Sequence, residues 1–234
     1  MTASRSLPPP NPVSPSGVRF AQGQLIPAQQ PTSVSLTKST DYYEQRCVKF
    51  PQRGAFHSYA ELIHALLLEA DRDVTSFVPQ PYQLLVNRRF YIPDVYAVRS
   101  GRIQILELKP EGKFDREKEA MLVAFFDQYG MHFEVVANES VLEQEQLALN
   151  WLPLIQVLAQ ALAQGIDTQV EEQRLYDIAR AQDSLAVGDL LHDSSRQEQY
   201  PKELALYRLL HRHDLVCDLT QRPLNYDTVI AAWN

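Results

Sequence analysis

Residues 90–109 read Phe-Tyr-Ile-Pro-Asp-Val-Tyr-Ala-Val-Arg-Ser-Gly-Arg-Ile-Gln-Ile-Leu-Glu-Leu-Lys, two runs of β-branched and aromatic residues around Ser100-Gly101. A two-residue turn there pairs Arg99 with Arg102. The opposed pairs that follow are Val98 with Ile103, Tyr96 with Ile105 and Asp94 with Glu107. Two carboxylates then face each other on one side of the hairpin, with Cβ atoms about 4.5–5.5 Å apart. Lys109, two residues beyond Glu107, falls on that same face. Opposed like charges destabilise a sheet. A hard divalent cation removes the conflict, because Mg²⁺ takes oxygen ligands and commonly uses one or two carboxylates beside substrate phosphate and water. The backbone carbonyl of Leu108 can add a ligand, and Lys109 can orient an attacking water or offset charge developing on a phosphate. The plainer alternative is a solvent-exposed charged face held by a Lys–Glu contact.

Upstream, Tyr59, Leu62, Ile63, Leu66, Leu67 and Ala70 recur at the spacing of one buried helix face. Ser58-x-x-Glu61 before them fits a capping box, in which both side chains satisfy helix-end amides. That explains Glu61 by itself, although its place at the margin of the apolar stripe also allows it to point toward a sheet edge. Asp71-Arg72-Asp73 ends the helix. The spacing then predicts strands over Tyr82–Val86, Phe90–Val98 and Ile103–Lys109, with a turn at Asn87-Arg88-Arg89. A helix over Asp115–Tyr129, stopped by Gly130, leads to a fourth strand over His132–Ala137. Helix, three-stranded meander, helix, strand is an α/β core whose last crossover is expected to be right-handed.

Beyond Asn138 the signals are helical: segments near Glu139–Trp151 and Pro153–Ala163, a linker at Gly165, then helices over Glu171–Ala181, Ala186–His192 and Pro201–His213, and an extended tail over Leu215–Leu219. Three helices and a small ribbon suggest a winged helix-turn-helix. Lys202, Arg208 and Arg212 lie on the last helix and can meet phosphate. His211 and His213 point to different helix faces and read as solvated helix-end residues, and Trp151 reads as a packing residue. Residues 1–40 hold seven of the fifteen prolines and read as a flexible arm able to order on a partner. The expected organisation is therefore an arm (1–40), a catalytic domain (41–138), a helical connector (139–168) and a winged-helix-like domain (169–234).

The order Glu61, Tyr-Ile-Pro-Asp94, Leu-Glu107-Leu-Lys109-Pro resembles the PD-(D/E)XK nuclease signature. More closely, residues 57–137 resemble the N-terminal catalytic domain of TnsA, the endonuclease subunit of heteromeric cut-and-paste transposons. The resemblance rests on Ser58-x-x-Glu61, the Leu-rich helix ending in Glu-Ala-Asp, Pro79-Gln80-Pro81, and the Tyr-x-Pro-Asp and Glu-x-Lys-Pro strands. The C-terminal Leu-Tyr-Arg-Leu-Leu-His-Arg-His and Asp-Leu-Thr-Gln-Arg-Pro-Leu stretches are similar to the winged-helix end of such proteins. The resemblance implies a restriction-endonuclease-like core. Asp94 and Glu107 would bind Mg²⁺, or Mn²⁺ in its place, Lys109 would assist water activation, and Glu61 would complete the site. Some members carry Gln in place of the strand glutamate, so Glu107 lies nearer the general nuclease pattern. It further implies cleavage of the non-transferred strand at transposon ends in double-stranded DNA, beside a DDE transposase, TnsB, and an AAA+ regulator, TnsC. A restriction-type or phage-encoded nuclease with the same core, and a catalytically silent adaptor, are the alternatives.

Composition bounds these readings. With 234 residues, 45% apolar and 22% charged, the chain is neither collagen-like, wholly disordered nor a disulfide scaffold. No phosphate-binding loop, His-Glu-x-x-His, Gly-x-Ser-x-Gly or zinc-type Cys/His spacing occurs. Cys47 and Cys217 are expected to be reduced thiols, and no signal peptide or membrane-length apolar run is read, so a bacterial cytoplasmic location is expected. A net charge of −7 ordinarily argues against nucleic acid. It is unevenly spread, +4 over residues 1–60, −2 over 61–133 and −9 over 134–234, and it predicts weak binding to bare DNA.

Overall fold

The computed structural model describes residues 17–21, 25–32, 41–182, 184–191 and 195–233. In chain order the elements are β1 (Val18–Phe20), β2 (Tyr43–Arg46), β3 (Arg53–Phe56), α1 (Tyr59–Ala70), β4 (Val74–Pro79), β5 (Leu84–Val86), β6 (Arg89–Tyr91), β7 (Val95–Arg99), β8 (Arg102–Lys109), α2 (Arg116–Asp127) and β9 (Met131–Ala137). Then come α3 (Asn138–Leu142), α4 (Glu145–Ala163), α5 (Gln169–Arg180), β10 (Leu185–Ala186), α6 (Val187–Leu190), α7 (Arg196–His211), β11 (Leu215–Val216) and β12 (Val229–Ala232). This mixed α/β chain divides into two compact units, Thr75–Glu139 with the described N-terminal residues, and Asp41–Val74 with the described residues from Ser140 onward. The units are discontinuous in sequence, and α1 belongs to the second.

The first unit is built on a sheet of order β4-β7-β8-β9. The β7–β8 hairpin has the register read from its turn, Val95↔Leu106 through Arg99↔Arg102. Ser100 and Gly101 both hold positive φ, 47° and 73°, the combination that a two-residue hairpin loop requires and that glycine supplies at least cost. β9 runs parallel to β8, Ile103↔Met131 through Lys109↔Ala137, so α2 forms the crossover that a parallel pair needs. Asp115 caps α2 by accepting the Lys118 backbone N–H at 2.7 Å. Leu122, Phe125 and Phe126 of that helix pack with Ile105, Phe133 and Met131 in the core.

Three expectations are corrected here. The first strand of the meander is β4, joined to β7 through Gln80 N–H to Asp94 O and Thr75 Oγ1 to Val98 O. The segment expected as that strand, Tyr82–Val86, instead contributes β5 to a separate sheet of order β1-β5-β6. The expected strand Phe90–Val98 is broken into β6 and β7 around Pro93, which has no N–H for a ladder. Part of the expected flexible arm is structured. Val18–Phe20 pairs with β5, Ala28 and Gln30 donate backbone bonds to Pro81 and Gln80, and the Tyr82 hydroxyl donates to Leu25 O. The rest of that arm lies outside the described residues.

In the second unit Ser58 caps α1 by accepting the Glu61 N–H, and α1 packs on α4. Helix α4 runs unbroken through Pro153, so the expected break there is absent, and the segment expected near Glu139–Trp151 is instead divided between α3 and α4 after Leu142. By length and composition α4 meets the requirement for a membrane span, contrary to the expectation of no such run. Its Trp151, Leu154, Ile155 and Leu158 are buried in this unit, so Trp151 is a packing residue. Helices α5, α6 and α7 accompany a small antiparallel sheet of order β10-β12-β11. The tail is more than an extended segment, because β12 returns to pair with both short strands. Cys47 and Cys217 are free thiols.

His211 is not solvated. It is buried, with Nε2 2.7 Å from Oε2 of fully buried Glu69. Glu69 Oε1 also accepts the Lys49 N–H, and the Lys49 ammonium donates to the carbonyls of Leu68, Glu69 and Asp71 at the end of α1. A carboxyl group this deep needs hydrogen-bond partners, and His211, brought over by α7, completes the set.

Candidate active site

The end of β8 and the segment before β7 bring four expected residues together. Asp94 lies one position before the ladder, and its Oδ2 accepts the Leu108 N–H at 2.7 Å. Glu107 is 2% exposed, with Oε1 2.9 Å from Lys109 Nζ and Oε2 accepting the Tyr91 hydroxyl at 2.5 Å. Lys109 Nζ also lies 3.7 Å from Asp94 Oδ2 and donates to the Leu108 carbonyl at 3.0 Å. The alternative of a solvent-exposed charged face is therefore corrected: the Lys–Glu contact exists, but its carboxylate is buried. Asp94 and Glu107 also meet through Lys109 and the Leu108 amide rather than as a ladder pair, because pairing stops at Val95.

The donor set suits a hard cation. Two carboxylates and a backbone carbonyl, Asp94, Glu107 and Leu108, surround a single ammonium, and Mg²⁺ completes its octahedron with water and substrate oxygens rather than with a full protein cage. Among the described residues no group of three or more Asp, Glu, His or Cys side chains could hold a metal, so any ion here would depend on those outside ligands.

Two further residues join the cluster. Burial, followed by the Glu107 and Asp94 charges, pushes the Tyr91 phenol far up, so it remains a protonated donor. Lys118, in the first turn of α2, places Nζ 3.5 Å from the centre of the Tyr91 ring and 5.0 Å from that of Phe114. Burial lowers its affinity for a proton, Glu107 partly offsets this, and Lys109 adds repulsion. Neither residue was read as functional. Tyr91 is recruited across the Pro93 break, and Lys118 follows the Asp115 cap by three residues with only an ordinary helix-start pattern to mark it.

The remaining expected residues lie in the second unit. The Glu61 carboxylate accepts the His57 N–H at 3.0 Å and the Ser58 hydroxyl at 3.1 Å, the helix-start role its spacing suggested. Arg208 and Arg212 of α7 both pair with Glu172 of α5, at 3.2 and 2.7 Å. Arg208 also donates to Thr168 and the Ile166 carbonyl, and Arg212 to Asp214 at 2.9 Å. Burial alone would raise the Glu172 carboxyl, but bonds from Thr168, Arg212 and Arg208 hold it below the usual range. A phosphate on these arginines would have to displace Glu172. Lys202 is half-buried on the same helix. No protein-family model matches the chain, and no curated protein is detectably similar to it.

Proposed function

We propose that the chain is a metal-dependent DNA endonuclease subunit of the TnsA kind, cutting the non-transferred strand at transposon ends in partnership with a DDE transposase and an AAA+ regulator. The observation that carries this reading is the convergence of Asp94, Glu107 and Lys109 on the ends of two adjacent strands, with the Leu108 carbonyl among them. The order α1, β4, β7, β8, α2, β9, with β9 parallel to β8, supports a PD-(D/E)XK core. The order α5, β10, α6, α7, β11, β12, with β12 between the two short strands, supports a winged helix in the second unit.

Asp94, Glu107 and the Leu108 carbonyl would hold the cation. A bound Mg²⁺ would neutralise the carboxylate pair and offset charge developing on the scissile phosphate. Lys109, released from those oxygens, can orient water or stabilise the departing charge, and Tyr91 keeps the Glu107 carboxylate aimed by donating to it. Replacing Asp94 or Lys109 with Ala is expected to lower Mg²⁺-dependent strand cleavage of transposon-end DNA, assayed with the partner transposase, by about 10²–10³-fold. Unchanged cleavage would overturn the assignment.

One observation favours a silent adaptor: Lys109 Nζ lies 2.9 Å from Glu107 and 3.7 Å from Asp94, so the two carboxylates already share a cation. Calorimetry separates the readings. Divalent-ion binding lost in Asp94→Ala and Glu107→Ala supports the nuclease, and its absence from the unaltered chain supports the adaptor.

A further inference from the structure

Beside the Asp94–Glu107–Lys109 cluster, β6 and the start of α2 border a cleft of roughly 610 Å³ lined by Asn87, Arg89, Tyr91, Asp115, Glu117 and Lys118, among others. The hairpin pairs Arg89 with Val86 and Tyr91 with Leu84, so Arg89 and Tyr91 share one side of the strand. Tyr91 spans the two features, its hydroxyl donating to Glu107 while its ring face carries Lys118. Among the described residues neither Lys118 Nζ nor the Arg89 guanidinium has a hydrogen bond or ion pair.

A half-buried ammonium resting on ring faces lacks the acceptor oxygens its three N–H donors require. The carboxylates of the cleft do not supply them, since Asp115 is engaged by the Lys118 backbone N–H and Glu117 is exposed. Two cations, Arg89 and Lys118, thus face one cleft. A phosphodiester backbone fits this set, because it brings repeated oxyanions that accept from both ammonium and guanidinium groups.

We propose that Lys118 and Arg89 hold a backbone phosphate of a nucleic-acid strand beside the phosphate positioned at Asp94 and Glu107. The identity of the neighbouring phosphate rests on the nuclease reading. Lys118 is a positioning residue, and its effect is on binding.

The test uses the full chain and a duplex of about 20 bp in Ca²⁺, with binding followed by fluorescence anisotropy between about 50 and 200 mM salt. Lys118→Gln and Arg89→Gln are each expected to weaken binding about three- to tenfold and to flatten the slope of log affinity against log salt by about 0.9, one phosphate contact each. Lys118→Arg is expected to keep the wild-type slope that Lys118→Gln loses, a contrast that a purely structural role for Lys118 does not produce. Wild-type affinity and slope in both Gln variants overturn the inference, as does a wild-type chain that shows no salt-dependent duplex binding. The nuclease reading fails separately, if Mg²⁺-dependent cleavage survives Asp94→Ala, and that result leaves the binding slopes as they are.

Discussion

Tyr91 is the residue on which the candidate site turns. Its phenol donates to a carboxylate that is almost wholly buried, and its ring carries the Lys118 ammonium. Tyr91→Phe keeps the ring and removes only the donor. It is expected to destabilise the chain by about 1–3 kcal/mol, the cost of leaving a buried acceptor short of a partner, as measured by urea unfolding. A change within about 0.5 kcal/mol would mean that Glu107 finds another donor or water at no cost. Cys217 makes a different residue-scale prediction. Burial first, then the Asp218 charge, pushes its thiol up to about 12. A raised acid favours the folded state while neutral, so its contribution is complete below about pH 9, the ordinary thiol value, and is lost as pH rises toward 12. Native chain is therefore expected to react with iodoacetamide at pH 8–9 much more slowly than chain in urea. Equal rates would show that Cys217 is an ordinary exposed thiol.

At the scale of elements, α7 is bound to α1 by the pair His211 and Glu69 and to α5 by Arg208 and Arg212 on Glu172. His211→Ala leaves the Glu69 carboxylate buried with the Lys49 amide as partner and is expected to cost about 3–5 kcal/mol. Replacing Glu69 and His211 together with apolar residues of similar volume removes both desolvated groups and is expected to cost much less. A double variant as unstable as His211→Ala would count against this account. These bonds also mark where the sequence ceases to be readable. The β7–β8 register was legible because a two-residue turn leaves one pairing possible and the apolar alternation agrees with it. The capping box at Ser58 and Glu61 was legible because it is local. The β5–β6 hairpin was misplaced because its strands look like those of the main sheet, and only β1, from a proline-rich stretch, reveals that they form another. His211, Tyr91 and Lys118 take their meaning from partners on distant elements, and spacing along the chain carries no trace of those meetings.

For the whole molecule, the division into units changes how the charge is read. Among the described residues the first unit holds nine basic and nine acidic residues, a net of zero, whereas the second holds eleven and eighteen, a net of −7. The acidity that weighs against nucleic acid belongs to the second unit, and the unit carrying Asp94, Glu107 and Lys109 is neutral. Repulsion from the acidic unit weakens the approach of bare DNA and is screened beyond about 8–10 Å at physiological salt, so contact is expected on the first unit. In the second unit the phosphate-seeking groups are already occupied, Arg208 and Arg212 by Glu172. Formaldehyde crosslinking of the full chain to duplex DNA, read by mass spectrometry, is expected to mark Lys109, Lys113 and Lys118 and to leave Lys202 unmodified. Crosslinks concentrated on Lys202 would instead make the helix Arg196–His211 the DNA-reading element. Glu172→Gln would then strengthen binding by freeing the two arginines, whereas contact confined to the first unit leaves binding insensitive to that change.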